Sequence, residues 1–161
     1  MVSRARLISV IGAGHAEPKV LQHARQCGRL LARAGFGVVC GGLGGVMSAA
    51  AQGCAEEGGL TVGILPSSSH SDANPHIQVA IPTGLGQARN LVVVMAGLGA
   101  LAISGGAGTL SEIGHALKMG RPVVGLGSWE IEGVTPARTP EEAVELLLAR
   151  LPARSPKPGP R

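Results

Sequence analysis

Three glycine-rich turns, each set between a short apolar run and a helical pattern, constrain this chain more than any other feature. Leu7 to Ile11 ends in Gly12-Ala13-Gly14, Gly37 to Cys40 ends in Gly41-Gly42-Leu43-Gly44-Gly45, and Ala100 to Ile103 ends in Ser104-Gly105-Gly106-Ala107-Gly108-Thr109. After the first turn, Val20, Leu21, Ala24, Cys27, Leu30, Leu31 and Ala34 recur at three- and four-residue steps from Pro18 until Gly35. That spacing is one buried helical stripe with a glycine stop. The second turn opens a helix toward Glu57 whose Ala49, Ala50 and Ala51 allow tight packing. Strand, glycine turn and helix in repeated order predict a parallel sheet covered on both faces.

The rest of the chain continues the alternation. Leu60 to Leu65, Ile77 to Ile81 and Pro122 to Leu126 read as further strands, Gln87 to Ala96 as a buried helix, and the segment after Thr109 as a helix ending at Lys118-Met119-Gly120. Thr139-Pro140-Glu141-Glu142 starts a closing helix, with a threonine cap, a first-turn proline and an acid three residues on. Pro66 to Pro75 (PSSSHSDANP) has turn residues and no period, so it is expected as a surface loop and candidate lid. The expected fold is α/β, a Rossmann-like three-layer α/β/α arrangement with a mainly parallel sheet. One nucleotide-binding domain is expected over 1–151, and a disordered basic tail over 152–161.

Composition removes several function classes. With one Phe (Phe36), one Trp (Trp129) and no Tyr in 161 residues, the core must be built from Val, Leu, Ile and Ala. Single-stranded nucleic-acid binding, which uses aromatic platforms, is disfavoured. The formal charge is +4, of which Arg154, Lys157 and Arg161 in the acid-free tail supply three. The near-neutral body therefore carries no basic footprint for nucleic acid. Gly and polar residues interrupt every apolar stretch and no charged-then-apolar leader is seen, so no membrane association and a cytoplasmic location are expected. Cys27, Cys40 and Cys54 form no CxxC pair and read as buried reduced thiols, and the five histidines show no metal-ligand spacing.

Glycine at strand-to-helix turns lets a phosphate approach the backbone, and the helix that follows offers unpaired N–H groups and a partial positive charge. The first turn has Glu17 where a third glycine of a dinucleotide fingerprint would stand, and the second strand ends in Cys40 rather than an acid for the ribose of NAD. No glycine turn runs into Lys-Ser or Lys-Thr, which disfavours a P-loop ATPase.

The stretch SGGAGTLSE, Ser104 to Glu112, resembles the PGGxGTxxE motif of the lysine-decarboxylase-like proteins, the superfamily of LONELY GUY-type phosphoribohydrolases. Gly41-Gly42, Gly45-Val46-Met47 and Gln87-Ala88-Arg89-Asn90 extend the resemblance over nearly the whole chain. Ser104 stands where that motif has proline, and Asn90 where the hydrolases have lysine. Both features look more like the branch that contains molybdenum-cofactor carrier proteins. From the hydrolases the resemblance implies that Gly105, Gly106, Gly108 and Thr109 hold a 5′-phosphate while Arg89 and Glu112 face the ribose as catalytic groups. Gly12, Gly14, Gly41, Gly42, Gly45, Met47, Asn90 and Ser104 complete the expected phosphate- or nucleotide-binding set. A carboxylate beside the anomeric carbon suits the positive charge that builds when an N-glycosidic bond is cleaved.

Other roles stay open for the same residues. Thr109-x-x-Glu112 also matches a capping box, and Arg89 a salt bridge at a surface or between subunits. His15 lies just past the first turn, His115 falls on the face of Glu112, and Ser67, Ser68 and Ser69 could donate from the proposed lid. Two functional readings follow. One is a nucleoside 5′-monophosphate phosphoribohydrolase releasing base and ribose 5-phosphate; the other is a non-catalytic carrier or sensor of molybdenum cofactor or a nucleotide. Either implies a phosphorylated small-molecule ligand, no required cofactor and no metal, and a homodimer or homotetramer.

Overall fold

A computed structural model of the chain describes residues 3–153, so all of the tail expected over 152–161 except Pro152 and Ala153 lies outside the described residues. Seven strands form one parallel sheet: β1 (Leu7–Gly12), β2 (Gly37–Cys40), β3 (Thr61–Leu65), β4 (Val79–Pro82), β5 (Ala100–Ile103), β6 (Val123–Leu126) and β7 (Val134–Ala137), in the order β4-β3-β2-β1-β5-β6-β7. The five helices are α1 (Pro18–Arg33), α2 (Val46–Glu56), α3 (Arg89–Ala96), α4 (Ala107–Lys118) and α5 (Pro140–Ala149). The Rossmann-like α/β class expected from sequence is borne out, and every strand pair is parallel.

Two buried clusters divide the helices between the faces. Ala24, Cys27 and Leu31 of α1, Ala50 and Cys54 of α2, and Ala143, Val144 and Leu147 of α5 pack on one side with Val38 and Cys40. Val93 and Val94 of α3 with Ile113 and Ala116 of α4 pack on the other, against Val39. Alternation along β2 thus feeds both layers, as a doubly covered strand requires. All three cysteines are free and buried, and burial pushes the Cys27 and Cys40 thiols up to about 12. Among the described residues no helix is long and apolar enough to cross a membrane.

Three differences from the sequence reading have local causes. The last strand has no counterpart in the sequence reading; its Pro136 is tolerated because β7 is the outer edge of the sheet and needs no N–H there. The fourth strand starts two residues later than its apolar pattern and ends one later, also at an edge, with Val79 and Ile81 43% and 42% exposed. Gly86–Ala88 form a 3₁₀ turn ahead of α3, so the α-helix begins at Arg89 rather than Gln87. The cap of α5 is as expected: Thr139 Oγ1 accepts from Glu142 N–H at 3.1 Å, and Glu142 Oε2 accepts from Arg138 N–H at 2.7 Å.

The order of strands reverses between β1 and β5, which pair directly. The loops leaving their carboxyl ends diverge to opposite faces and leave a crevice, the position at which open α/β sheets take ligands.

Candidate functional site

A cleft of about 330 Å³ lies at that crevice. Its floor is Gly12, Ala13 and Gly14 at the end of β1 and just beyond it; Met47 closes one side from α2; Arg89 and Asn90 enter from α3; and Gly106, Gly108, Thr109 and Glu112 come from the start of α4. Nine of the fourteen residues singled out from sequence are therefore brought together. Gly41, Gly42, Gly45, Ser104 and Gly105 are outside the lining.

Those five act behind the surface. Gly41 is buried, and its carbonyl accepts from Arg89 Nη2 at 3.5 Å. Gly42, at φ +77, has Leu65 Cδ2 at 2.6 Å from the place a Cβ would occupy. Gly45, at φ +63, sits against the backbone of Ala13 and Gly14, locking the first glycine turn to the second. Ser104 is in the left-handed region at φ 51, held by donation from its N–H to Leu126 O at 3.1 Å and from Ser128 Oγ to its carbonyl at 2.7 Å. Gly105, at φ +112, leaves no room for a Cβ beside Thr109.

Gly14, Gly106 and Gly108 differ from these. None has a positive φ in the region that favours glycine, and a Cβ on any of them would meet no atom within 4 Å. Nothing inside the protein requires glycine at these three places. Their missing side chains keep the cleft open in front of the first turn of α4, whose leading N–H groups have no intrahelical partner.

Arg89 is 6% exposed, so the surface salt bridge considered for it is not formed. Its Nε donates to Ile64 O at 2.9 Å, Nη2 donates to Gly41 O, and Nη1 donates to Asn90 Oδ1. Asn90 Nδ2 then donates to Gln87 Oε1 at 3.4 Å and to Ser111 Oγ at 3.2 Å, and Ser111 Oγ donates to Gly108 O at 2.7 Å. The chain of bonds runs from β3 through α3 to the glycine turn of α4. Gln87 and Ser111 are members that sequence reasoning did not place in the site; Gln87 stood in the quoted motif, while Ser111 carried no signal of its own.

Glu112 does not cap its helix. The cap of α4 is Gly106, without a side-chain bond, and Thr109 lies buried in the first turn rather than before it. The capping box matched the spacing but missed the helix start by three residues. Burial raises the Glu112 carboxyl to about 7, and nearby Arg89 moderates that rise. Burial also lowers the Arg89 guanidinium, with Glu112 opposing it. The ion pairs among the described residues join Arg25, Arg29 and Arg33 to Glu56 and Glu57, so Arg89 and Glu112 act on each other without contact.

A carboxyl raised from 4.5 to about 7 on folding takes up a proton in that window. Stability is therefore lost as the pH rises through it. Glu112→Gln removes the titration and is expected to stabilise the fold by about 3 kcal/mol at pH 8 but only about 1 kcal/mol at pH 5. Urea denaturation at the two pH values measures the difference, and a loss of stability at both would restore a structural bond for Glu112.

His15, His70 and His115 are exposed, and Ser68 and Ser69 lie in an exposed loop, none of them lining the cleft. Among the described residues no three of His, Cys, Asp and Glu are grouped to hold a metal ion.

A family model described as the SLOG cluster4 family matches residues 5–154. An uncharacterized protein of Archaeoglobus fulgidus is 41% identical over 143 residues, covering 88% of this chain and 94% of that protein. The structure of the molybdenum cofactor binding protein from Rippkaea orientalis superimposes with a TM-score of 0.86 at 37% identity, over 92% of this chain and 98% of that one. A Moco carrier protein from Chlamydomonas reinhardtii does so with a TM-score of 0.80 at 33% identity, over 92% of this chain and all of the other.

Proposed function

The chain belongs to the SLOG cluster4 family, and from that membership we propose that its cleft binds the phosphate end of a small organic molecule, as a carrier or sensor that does not turn it over. The motif resemblance to the branch with molybdenum-cofactor carriers agrees with the relatives found. One observation carries the reading: Gly14, Gly106 and Gly108 leave open space, with no internal need for glycine, before the N-terminus of α4. A phosphate placed there accepts from backbone N–H groups in the positive end of the helix dipole.

Molybdenum cofactor fits as cargo in one respect. Its phosphate suits the glycine turn, while the side chains around the cleft offer no metal-ligand cluster, so the organic part would be the part that is held. Arg89 supports a binding role over a catalytic one. All three of its nitrogens donate to protein oxygens, and its work is to hold β2, β3 and α3 together beneath the cleft.

A hydrolase remains the second reading because Glu112 faces the cleft with a carboxyl near 7. A group poised near neutral pH can exchange protons efficiently in a transition state. One panel separates the two: AMP, GMP, CMP, isopentenyl-AMP and molybdenum cofactor, each followed by thermal shift and by release of free base. Stabilisation without release is expected. Base release from any monophosphate that is lost in Glu112→Gln would replace the carrier reading with the hydrolase; failure of all five to stabilise would remove the phosphate site.

A further inference from the structure

The chain has one tryptophan, and it is not used by the core. Trp129 is 43% exposed, in the loop between β6 and β7. Its Nε1 donates to Gly106 O at 3.2 Å, the cap residue of α4 and part of the cleft lining. With that N–H satisfied, what the side chain presents outward is apolar ring. The loop is held by Gly127 at φ 59 and Gly133 at φ 94, and Gly133 leaves only 3.1 Å between a would-be Cβ and Leu117 Cδ2. A short loop fixed at both ends thus carries a large exposed ring to the rim of the phosphate turn.

A second cavity, of about 670 Å³, opens beside that ring. Ile131 and Val134 give it apolar wall, while Glu130, Glu132 and Arg138 add charge. Arrangements of this kind take flat heterocycles: the aromatic face stacks, and carboxylates accept from N–H groups on the ring edge.

We propose that Trp129 and the 127–133 loop form the subsite for the heterocyclic ring of the ligand whose phosphate occupies the glycine turn, the ring being a bicyclic purine or pterin type with N–H donors on its edge. This rests on the phosphate reading of the cleft. The two cavities have separate linings and are linked by one bond: Gly106 lines the phosphate cleft, and its carbonyl accepts from the Trp129 indole that lines the second cavity.

GMP and ribose 5-phosphate are the probes, since they share a sugar phosphate and only one has a ring. As the sole tryptophan, Trp129 reports its own contact. GMP is expected to quench its emission saturably, whereas ribose 5-phosphate binds in calorimetry and leaves emission unchanged. Trp129→Ala is expected to weaken GMP by roughly 10-fold or more, in line with one stacked base, and ribose 5-phosphate by less than about twofold. Trp129→Phe keeps a ring face without the bond to Gly106 and is expected to retain most of the GMP affinity. Equal weakening of both probes in Trp129→Ala would show that the indole only props the turn and would overturn the subsite; so would GMP binding no tighter than ribose 5-phosphate. If neither probe binds the wild-type protein, the phosphate site fails and the ring subsite fails with it.

Discussion

Gly108→Val is expected to lower affinity for a phosphate ligand by about 100-fold or more while leaving the protein folded. A Cβ at Gly108 meets nothing within 4 Å, and the residue lies in the first turn of α4 facing the cleft. Valine therefore fits the protein and fills the space a phosphate would use. Losing two charge-assisted hydrogen bonds of about 1.5 kcal/mol each amounts to roughly two decades in Kd. Valine's helix propensity is no worse than glycine's, so stability should change by less than about 1 kcal/mol. Calorimetry with ribose 5-phosphate, alongside a melting curve, reads both quantities. Affinity unchanged in a folded Gly108→Val protein would remove the phosphate from the start of α4.

Gly53→Ala is expected to have the largest effect on stability, a loss of about 3 kcal/mol, although alanine is the better helix former. Gly53 of α2 lies on the backbone of α1: a Cβ there would overlap the Arg25 carbonyl oxygen and stand 2.8 Å from its carbon. Gly28 of α1 makes the reciprocal approach, with Ala50 O in the way and Cys54 N at 2.9 Å. Neither obstacle is a side-chain tip that can swing aside. The helices must separate, which loosens Ala24, Cys27, Ala50 and Cys54, all fully buried. Overpacking against backbone costs more than the ~1 kcal/mol gained from helix propensity. The expected fall in Tm is about 10 °C. Gly114→Ala is the matched control, because it lies exposed in α4 with no atom near its Cβ; there the propensity gain should appear as a stabilisation of up to about 1 kcal/mol. Equal melting points for Gly53→Ala and the wild type would mean that the two helices can part without cost.

These two glycines illustrate what a sequence reader sees and misses. The alanines of α2 predicted close packing on a sheet, but the closest approach is between helices, and neither Gly28 nor Gly53 could be distinguished from a tolerated helix glycine by its position in the chain. Likewise, Gly14, Gly41, Gly42, Gly45, Gly106 and Gly108 had one appearance in sequence and prove to have two uses. Gly42 and Gly45 take a left-handed φ and Gly41 makes room for the Met47 and Arg89 side chains, while Gly14, Gly106 and Gly108 leave space.

What the sequence determined by itself was the α/β alternation, the parallel sheet, the glycine turns at the carboxyl ends of strands, and most of the residues that meet there. Those features are local: apolar runs, periods and turn chemistry act over a few residues and survive any arrangement of the whole. The tertiary structure alone decided the role of each. It buried Arg89 against Ile64 and Gly41, which are 25 and 48 residues away, and it started α4 at Ala107, which removed the cap role from Glu112. It also brought the edge-side Trp129 to Gly106, 23 residues distant. Hydrogen-bond satisfaction, desolvation and cavity shape depend on chain segments far apart in sequence, so they exist only once the sheet has assembled.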